Sequence, residues 1–227
     1  MTVLLVLTTF FVFIVLDYAI NRRRAIATAP SKSAPPVPVH TGAEYVEGFL
    51  VPGNLAYHNG HTWLLRERKN VVRVGADEFA AALAGKIDRI DLPKPGYWIR
   101  QGQKIVALFR NGEKVEMVSP TEGEVIAVNE DLGADPGLLR RDPYGKGWLL
   151  SIHVPDEEST GRNLVPKGLV RAWMTDTVSR LYGLQPRLAG AAAADGGRPV
   201  DDILAALPEL SWRETASEFF LTTGKNG

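Results

Sequence analysis

Two histidines, His58 and His61, are the residues whose types and spacing come closest to a chemical site. Imidazoles so close in sequence can share a metal ion, but both lie in a turn-rich segment and no third ligand follows at a recognisable spacing. The run Gly145–Gly147 lacks the further glycines and the strand-to-helix setting of a phosphate-binding loop. Ser119 and Ser151 stand in no nucleophile motif. We therefore expect structural histidines, no metal, no catalytic residues and no enzymatic activity.

The composition excludes several further classes of function. Lysine and arginine together number 26, as do aspartate and glutamate, so the overall charge does not favour nucleic acid as a partner. The chain has 227 residues and no cysteine. Disulfides, cysteine-ligated zinc, iron–sulfur clusters and thiol chemistry are therefore excluded.

The N-terminus carries an uncharged, mostly apolar run from Val3 to Leu16, which reaches membrane-spanning length only when residues 17–20 are included. A signal peptide would have its positive charge before this run, whereas the arginines Arg22–Arg24 follow it. The positive-inside rule then keeps the arginines in the cytoplasm. Residues 1–21 are thus predicted to be a single-pass anchor that contacts the membrane through residues 2–20. The N-terminus would lie outside the cell membrane and the main domain in the cytoplasm.

Residues 22–41 form the next segment and are rich in alanine, serine and proline, with Pro30, Pro35, Pro36 and Pro38 close together. Such a segment cannot bury enough apolar surface to fold, and its prolines stiffen it. We predict a linker that holds a domain away from the bilayer.

Residues 42–155 show the patterns of a mainly β domain. Short apolar or alternating runs between turn residues predict strands at Val46–Val51, Thr62–Arg66, Val71–Val74 and Ile87–Leu92. Asp77–Ala84 has an acidic first turn and a following glycine, Gly85, which predicts a short helix. The stretch Val115–Trp148 begins with two strands separated by Ser119–Gly123, contains a helical turn after Pro136, and leads into a last strand, Leu149–Val154.

Several of these residues together resemble one known family. The matching positions are His61-Thr62-Trp63, Leu92-Pro93 with Gly96 and Gly102, Ser119-Pro120 with Gly123 and Val125, Val128-Asn129, Leu132, Asp135-Pro136, and Asp142-Pro143-Tyr144-Gly145 with Gly147-Trp148. The pattern resembles the H protein of the glycine cleavage system, a lipoyl-carrying relative of the biotinyl and lipoyl domains. The resemblance implies a barrel-sandwich hybrid fold over residues 42–155.

The resemblance also implies a lipoyl-lysine at the tip of a hairpin, within the pattern Glu-Ser-Val-Lys-Ala-x-Ser and eight residues before Pro120. That position holds Gly112, and Asn111-Gly112 is a strong signal for a two-residue type I′ turn. We therefore expect the hairpin without its acceptor, and no lipoyl or biotinyl group. Lys114, two residues past the tip, is the alternative site of lipoyl attachment.

Residues 156–227 are predicted to be a helical extension. Pro166 suits the first turn of a helix reaching about Leu181. Its apolar stripe is Leu169, Val170, Trp173, Met174, Val178 and Leu181. An Ala/Gly-rich loop covers residues 189–198, and a second helix with Ile203, Leu204 and Leu207 is expected from Pro199.

Ser211 and Glu214 form a capping box that predicts a third helix. The helices either cover the preceding domain or dock on a partner, and we expect docking through Trp212, Phe219, Phe220 and Leu221 because apolar side chains near a chain end must be buried somewhere.

Three functions follow from these observations. The favoured one is a membrane-tethered, non-lipoylated H-protein-like subunit that acts as a binding or scaffold component of a membrane-associated protein complex. The alternative is a lipoyl carrier of a glycine-cleavage-type system, modified on Lys114. The third, an enzyme, has no site in the sequence. The sequence does not identify the partner, the oligomeric state or any small-molecule ligand.

Overall fold

The computed structural model describes residues 11–16, 42–155, 159–184, 202–206 and 209–223. The predicted linker at 22–41, the Ala/Gly-rich loop, Pro199, Leu207 and most of the predicted anchor lie outside these residues. Residues 11–16 are helical. Within the described ranges, no helix has both the length and the hydropathy needed to cross a membrane.

Short strands form the framework of the described domain, as the alternating runs predict. The strands are β1 (Glu44–Val46), β2 (Phe49–Val51), β3 (Ala56–Tyr57), β4 (Thr62–Arg68), β5 (Val71–Ala76), β6 (Arg89–Asp91), β7 (Trp98–Ile99), β8 (Lys104–Arg110), β9 (Glu113–Val118), β10 (Gly123–Val128) and β11 (Leu150–His153). The helices are α1 (Glu78–Ala84), α2 (Asp131–Ala134), α3 (Leu138–Arg141), α4 (Val170–Leu184) and α5 (Trp212–Phe219).

The strands form two main antiparallel sheets and one small one. The larger sheet has the order β3-β4-β5-β11-β10-β7, the smaller has the order β6-β8-β9, and β1 pairs only with β2. Side chains from both main sheets, such as Val74 and Ile152 from one and Leu108 and Met117 from the other, are fully buried in one continuous core. The result is the mainly β, sandwich-like fold that the sequence predicts.

The predicted strand from Val46 to Val51 is wrong, because the chain reverses direction inside it. Glu47 and Gly48 have φ angles of 51° and 86°, and Val46 pairs with Phe49 across a two-residue turn. Positive φ at both central positions is the geometry that matches the right-handed twist of a hairpin. The segment is therefore the β1–β2 hairpin.

Trp63 and Tyr144, two residues of the pattern that resembles the H protein, have structural roles in packing and hydrogen bonding. The Trp63 ring covers Gly75 so closely that a Cβ atom there would lie 2.3 Å from it, and its Nε1 donates to Ala76 O at 2.8 Å. The Tyr144 hydroxyl donates to Leu50 O at 2.6 Å and accepts from Glu78 N at 3.0 Å. Both side chains thus fasten the strands to the loops around them.

A buried pair, His61 and Asp77, fixes the start of α1. Nδ1 of His61 lies 2.8 Å from Oδ2 of Asp77, and Oδ1 of Asp77 accepts the Ala80 amide at 2.7 Å as the N-cap of α1. The His61 ring is stacked on Trp173 of α4, with ring centroids 4.8 Å apart, and lies 4.5 Å from the Phe79 ring. This cluster joins the loop before β4 to α1 and α4.

His58 has a local structural partner as well. Its Nδ1 accepts the Gly60 amide at 3.0 Å, so the ring is neutral in this arrangement, and it is 8% exposed. Burial, and then the nearby His61, lower the pKa of His58 below its usual value. Protonation of His58 therefore opposes the folded state.

The C-terminal extension completes the same core. Met174, Val178 and Leu181 of α4 and Trp212, Ala216 and Phe219 of α5 are buried, together with Phe220. Ser211 Oγ accepts the Glu214 amide, so the predicted N-cap is confirmed.

Two details of the extension differ from the sequence prediction. Leu169, expected on the buried stripe, is 56% exposed because residues 167–169 form a 3₁₀ turn before α4 begins. In place of the expected second helix, the described residues contain only the 3₁₀ turn Leu204–Ala206. Ile203 and Leu204 are nevertheless buried, as their apolar character predicts.

Replacing Phe219 by alanine should destabilise the domain strongly, because the ring is 2% exposed and its centroid lies 5.2 Å from that of Phe79. A buried Phe→Ala change costs about 3–5 kcal/mol. Leu221→Ala, at a side chain that is 51% exposed, should change stability by less than about 0.5 kcal/mol. Urea unfolding of both variants measures the difference, and equal stabilities would contradict the observed packing.

His58 should make stability depend on pH. Its pKa is lower in the folded than in the unfolded chain, so its full contribution is present above the unfolded value of about 6.5. That contribution should be lost as the pH falls from about 6.5 through the folded pKa. To test this, the free energy of unfolding of the His58→Asn variant is compared with that of the natural chain between roughly pH 7.5 and pH 5.5. The variant should show a shallower decline, and parallel curves would refute the prediction.

Candidate functional site

The β8–β9 hairpin contains the candidate site. Arg110 pairs with Glu113 across its end, leaving Asn111 and Gly112 as the two turn residues. Their φ angles are 51° and 80°, as a type I′ turn requires. The predicted turn is confirmed, and the position implied for the lipoyl-lysine is a glycine in a left-handed conformation.

Asp88, just before β6, and Arg89, the first residue of β6, hold one side of this tip. An oxygen of the Asp88 carboxylate accepts the Asn111 amide at 2.7 Å, and the Asp88 amide donates to Phe109 O at 2.7 Å. The Arg89 guanidinium lies 3.9 Å from the centre of the Phe109 ring. The turn is therefore supported by charged groups from a neighbouring strand.

Arg110 connects the tip to the C-terminal extension. Its Nη1 lies 2.9 Å from Oδ1 of Asp202 and 3.3 Å from Ala84 O at the end of α1. Asp202 also accepts the amides of Lys86 and Ala205. Because both charged side chains are mostly buried, at 14% and 19% exposure, this pair is more shielded from water than an ordinary surface ion pair. The residues lie 92 positions apart, so no local pattern in the sequence predicts the contact.

Lys114 lies on β9, opposite Phe109, and not in the turn. Its Nζ donates to Oε1 of Glu116 at 2.8 Å, and the side chain is 50% exposed. This hydrogen bond lowers the pKa of the Glu116 carboxyl, and partial burial opposes the effect. Lys104 lies 3.7 Å from the other oxygen of Glu116. Lys114 is thus half of an exposed ion pair on a strand.

The expected docking residues divide into two groups. Trp212, Phe219 and Phe220 are 7%, 2% and 0% exposed, and Trp212 Nε1 donates to Ala84 O at 3.0 Å. The prediction that these three side chains contact a partner is wrong, because α5 packs against α1 and β9 of its own domain. Leu221 remains exposed.

The histidines have the structural contacts that their turn-rich setting suggested. The Nδ1 atoms of His58 and His61 are both used in hydrogen bonds within the domain. Among the residues described by the structure, no three histidine, aspartate or glutamate side chains are grouped so as to hold a metal ion.

The comparisons with known proteins agree with the pattern of matching residues. The family model described as Glycine cleavage H-protein matches residues 55–176, more than half of the chain. The glycine cleavage system H protein of Mycobacterium leprae is 37% identical over 106 residues, which cover 47% of this chain and 80% of that protein. The corresponding protein of Bifidobacterium longum is 36% identical over 108 residues, covering 48% of this chain and 78% of its own length.

A solved structure is also similar. The crystal structure of a glycine cleavage system H protein from Mycobacterium marinum has 26% sequence identity and a TM-score of 0.43, covering 47% of this chain and 87% of that one. The family match extends through residue 176 and so includes the first half of α4, beyond the boundary at residue 155 that the sequence suggested. On the family match and the identities with curated relatives, the chain belongs to the glycine cleavage H-protein family.

Proposed function

We propose that this chain is a membrane-tethered H-protein-like subunit that carries no lipoyl group. It acts as a binding or scaffold component of a membrane-associated protein complex and has no catalytic activity of its own. The observation that carries the proposal is the Asn111-Gly112 turn at the hairpin tip, where the resemblance places the acceptor lysine. A side chain other than glycine is unfavourable at the positive φ of Gly112.

The rigid support of the tip is consistent with a binding role. The backbone of the hairpin is held by Asp88 and by the Arg110–Asp202 pair. A hairpin held in this way presents a constant surface. Constant geometry lowers the entropy cost of binding a partner.

The alternative function is a lipoyl carrier modified on Lys114. Family membership favours it, because the relatives are H proteins of the glycine cleavage system. The half-exposed Nζ of Lys114 would have to leave Glu116 and react from a strand two residues beyond the turn. The absence of a lysine from the turn makes this the second choice.

The tether is proposed from the N-terminal sequence. The uncharged run Val3–Leu16 is followed by Arg22–Arg24, which the positive-inside rule assigns to the cytoplasm. The H-protein-like domain would then lie on the cytoplasmic side of the cell membrane, among the protein partners of the complex.

Intact-mass spectrometry tests the lack of modification. The chain is co-expressed with a lipoate–protein ligase in medium containing lipoate, and we expect an unmodified mass because the tip offers no lysine. The matched control replaces residues 109–113 by the family sequence Glu-Ser-Val-Lys-Ala and should gain a lipoyl group. A lipoyl adduct on the natural chain that disappears in Lys114→Arg would establish the alternative function instead.

Reporter fusions test the topology. Green fluorescent protein fused after Gly227 should fluoresce, and alkaline phosphatase at the same place should be inactive, because the first needs the cytoplasm and the second the periplasm. A matched control changes Arg22, Arg23 and Arg24 to asparagine, which should weaken this orientation. Active phosphatase on the unaltered chain would overturn the proposed topology.

A further inference from the structure

A pair of neighbouring aromatic residues is left uncovered at one edge of the larger sheet. Tyr97 and Trp98 are each 52% exposed, and Trp98 belongs to β7, the two-residue edge strand that pairs with β10. Burial of aromatic side chains of this size stabilises proteins and complexes, and the folded chain leaves two neighbouring ones half exposed. Ile99, the next residue, is fully buried and fixes the position of the pair.

Hydrogen bonds connect this edge to the segment before α4. The Gln101 side chain donates to the carbonyl oxygen of Arg162 and accepts from Asn163 Nδ2 at 2.9 Å. Asn163 and the exposed Leu169 line the same open cleft beside α4. Gln101 thus links the segment after the edge strand to residues 162–163, and Asn163 shares its cleft with the 3₁₀ turn Lys167–Leu169.

Three exposed cationic side chains belong to these segments. Arg100, Arg162 and Lys167 are exposed, and within the described ranges none of their side chains forms an ion pair. Two carboxylates also lie in this region, that of Glu124 opposite Trp98 and that of Asp176 in the cleft. The "aromatic–basic patch" is defined as Tyr97, Trp98, Arg100, Arg162, Lys167 and Leu169.

We propose that the aromatic–basic patch rests on an anionic lipid bilayer. Tyrosine and tryptophan favour the membrane–water interface, where the ring is in an apolar layer and the polar group remains hydrated. Arginine and lysine beside them attract anionic headgroups, each adding about fivefold to the affinity. The proposal rests on the proposed membrane tether, because a linker of 20 residues reaches at most about 70 Å and holds the domain close to the bilayer.

Vesicle sedimentation tests the patch without the anchor. The core residues that the structure describes lie between Val46 and Phe220, so a fragment of residues 42–227 keeps them together, and circular dichroism verifies that it is folded. The fragment is mixed with vesicles of phosphatidylcholine alone or of phosphatidylcholine with phosphatidylglycerol. We expect binding to the anionic vesicles only, and weaker binding at higher salt.

Two variants and a charge-matched control identify the surface. Arg100→Glu with Arg162→Glu should weaken binding at least about thirtyfold, and Tyr97→Ser with Trp98→Ser about tenfold or more. Lys86→Glu with Lys146→Glu makes the same change of charge at exposed lysines outside the patch and should change binding by less than about threefold. Circular dichroism verifies that all variants are folded.

The possible results separate the two proposals. If the full chain stays in the membrane fraction but the fragment binds neither vesicle, the patch proposal fails and the tether stands. If the fragment binds anionic vesicles but the full chain stays in the soluble fraction, the tether proposal fails and the patch proposal stands. If the patch variants and the control variant lose vesicle binding equally, the binding is general charge attraction and the assignment to the patch is overturned. A patch that binds a protein but no vesicle would also overturn it.

Discussion

The burial of the Asp77 carboxylate is the constraint on which the rest of the domain depends. The side chain is 0% exposed, and a carboxylate without water needs a hydrogen bond at each oxygen. One oxygen takes the Ala80 amide at the start of α1 and the other takes the ring of His61. The position of α1 on the sheet and the conformation of the loop before β4 are therefore set together. The aromatic rings of Phe79 and Trp173 then pack on the His61 ring that this arrangement fixes.

The other end of α1 is joined to the C-terminal extension. The carbonyl of Ala82 accepts the Ile203 amide, and the carbonyl of Ala84 accepts Trp212 Nε1 and Arg110. Terminal carbonyl groups of a helix need partners from outside the helix, and here the extension and the hairpin supply them. One short helix thus connects the buried histidine pair, the extension and the hairpin tip.

Local signals in the sequence predicted those parts of the structure that local chemistry determines. Asn111-Gly112 gave the turn because few residues accept positive φ twice in succession, and Ser211 gave the start of α5 because its hydroxyl caps that helix. The position of α5 could not be predicted, because Trp212 has its partner 128 residues earlier at Ala84. The Arg110–Asp202 pair could not be predicted for the same reason, because its residues are far apart in sequence. The wrong prediction that Trp212, Phe219 and Phe220 dock on a partner also arose because their partners within the domain are distant in sequence. The β1–β2 turn was missed because a glutamate, Glu47, occupies a position with positive φ.

The packing of Phe219 and Phe220 affects how the chain can fold during synthesis. Phe220 is fully buried and Phe219 lies against Phe79 of α1. The core therefore cannot close until about 140 residues that follow Phe79 have been synthesised. Contacts so distant in sequence form late, and the sheets would spend the whole of that interval with apolar surface uncovered. Slow synthesis anywhere between α1 and Phe220 would therefore prolong the interval in which this apolar surface is exposed.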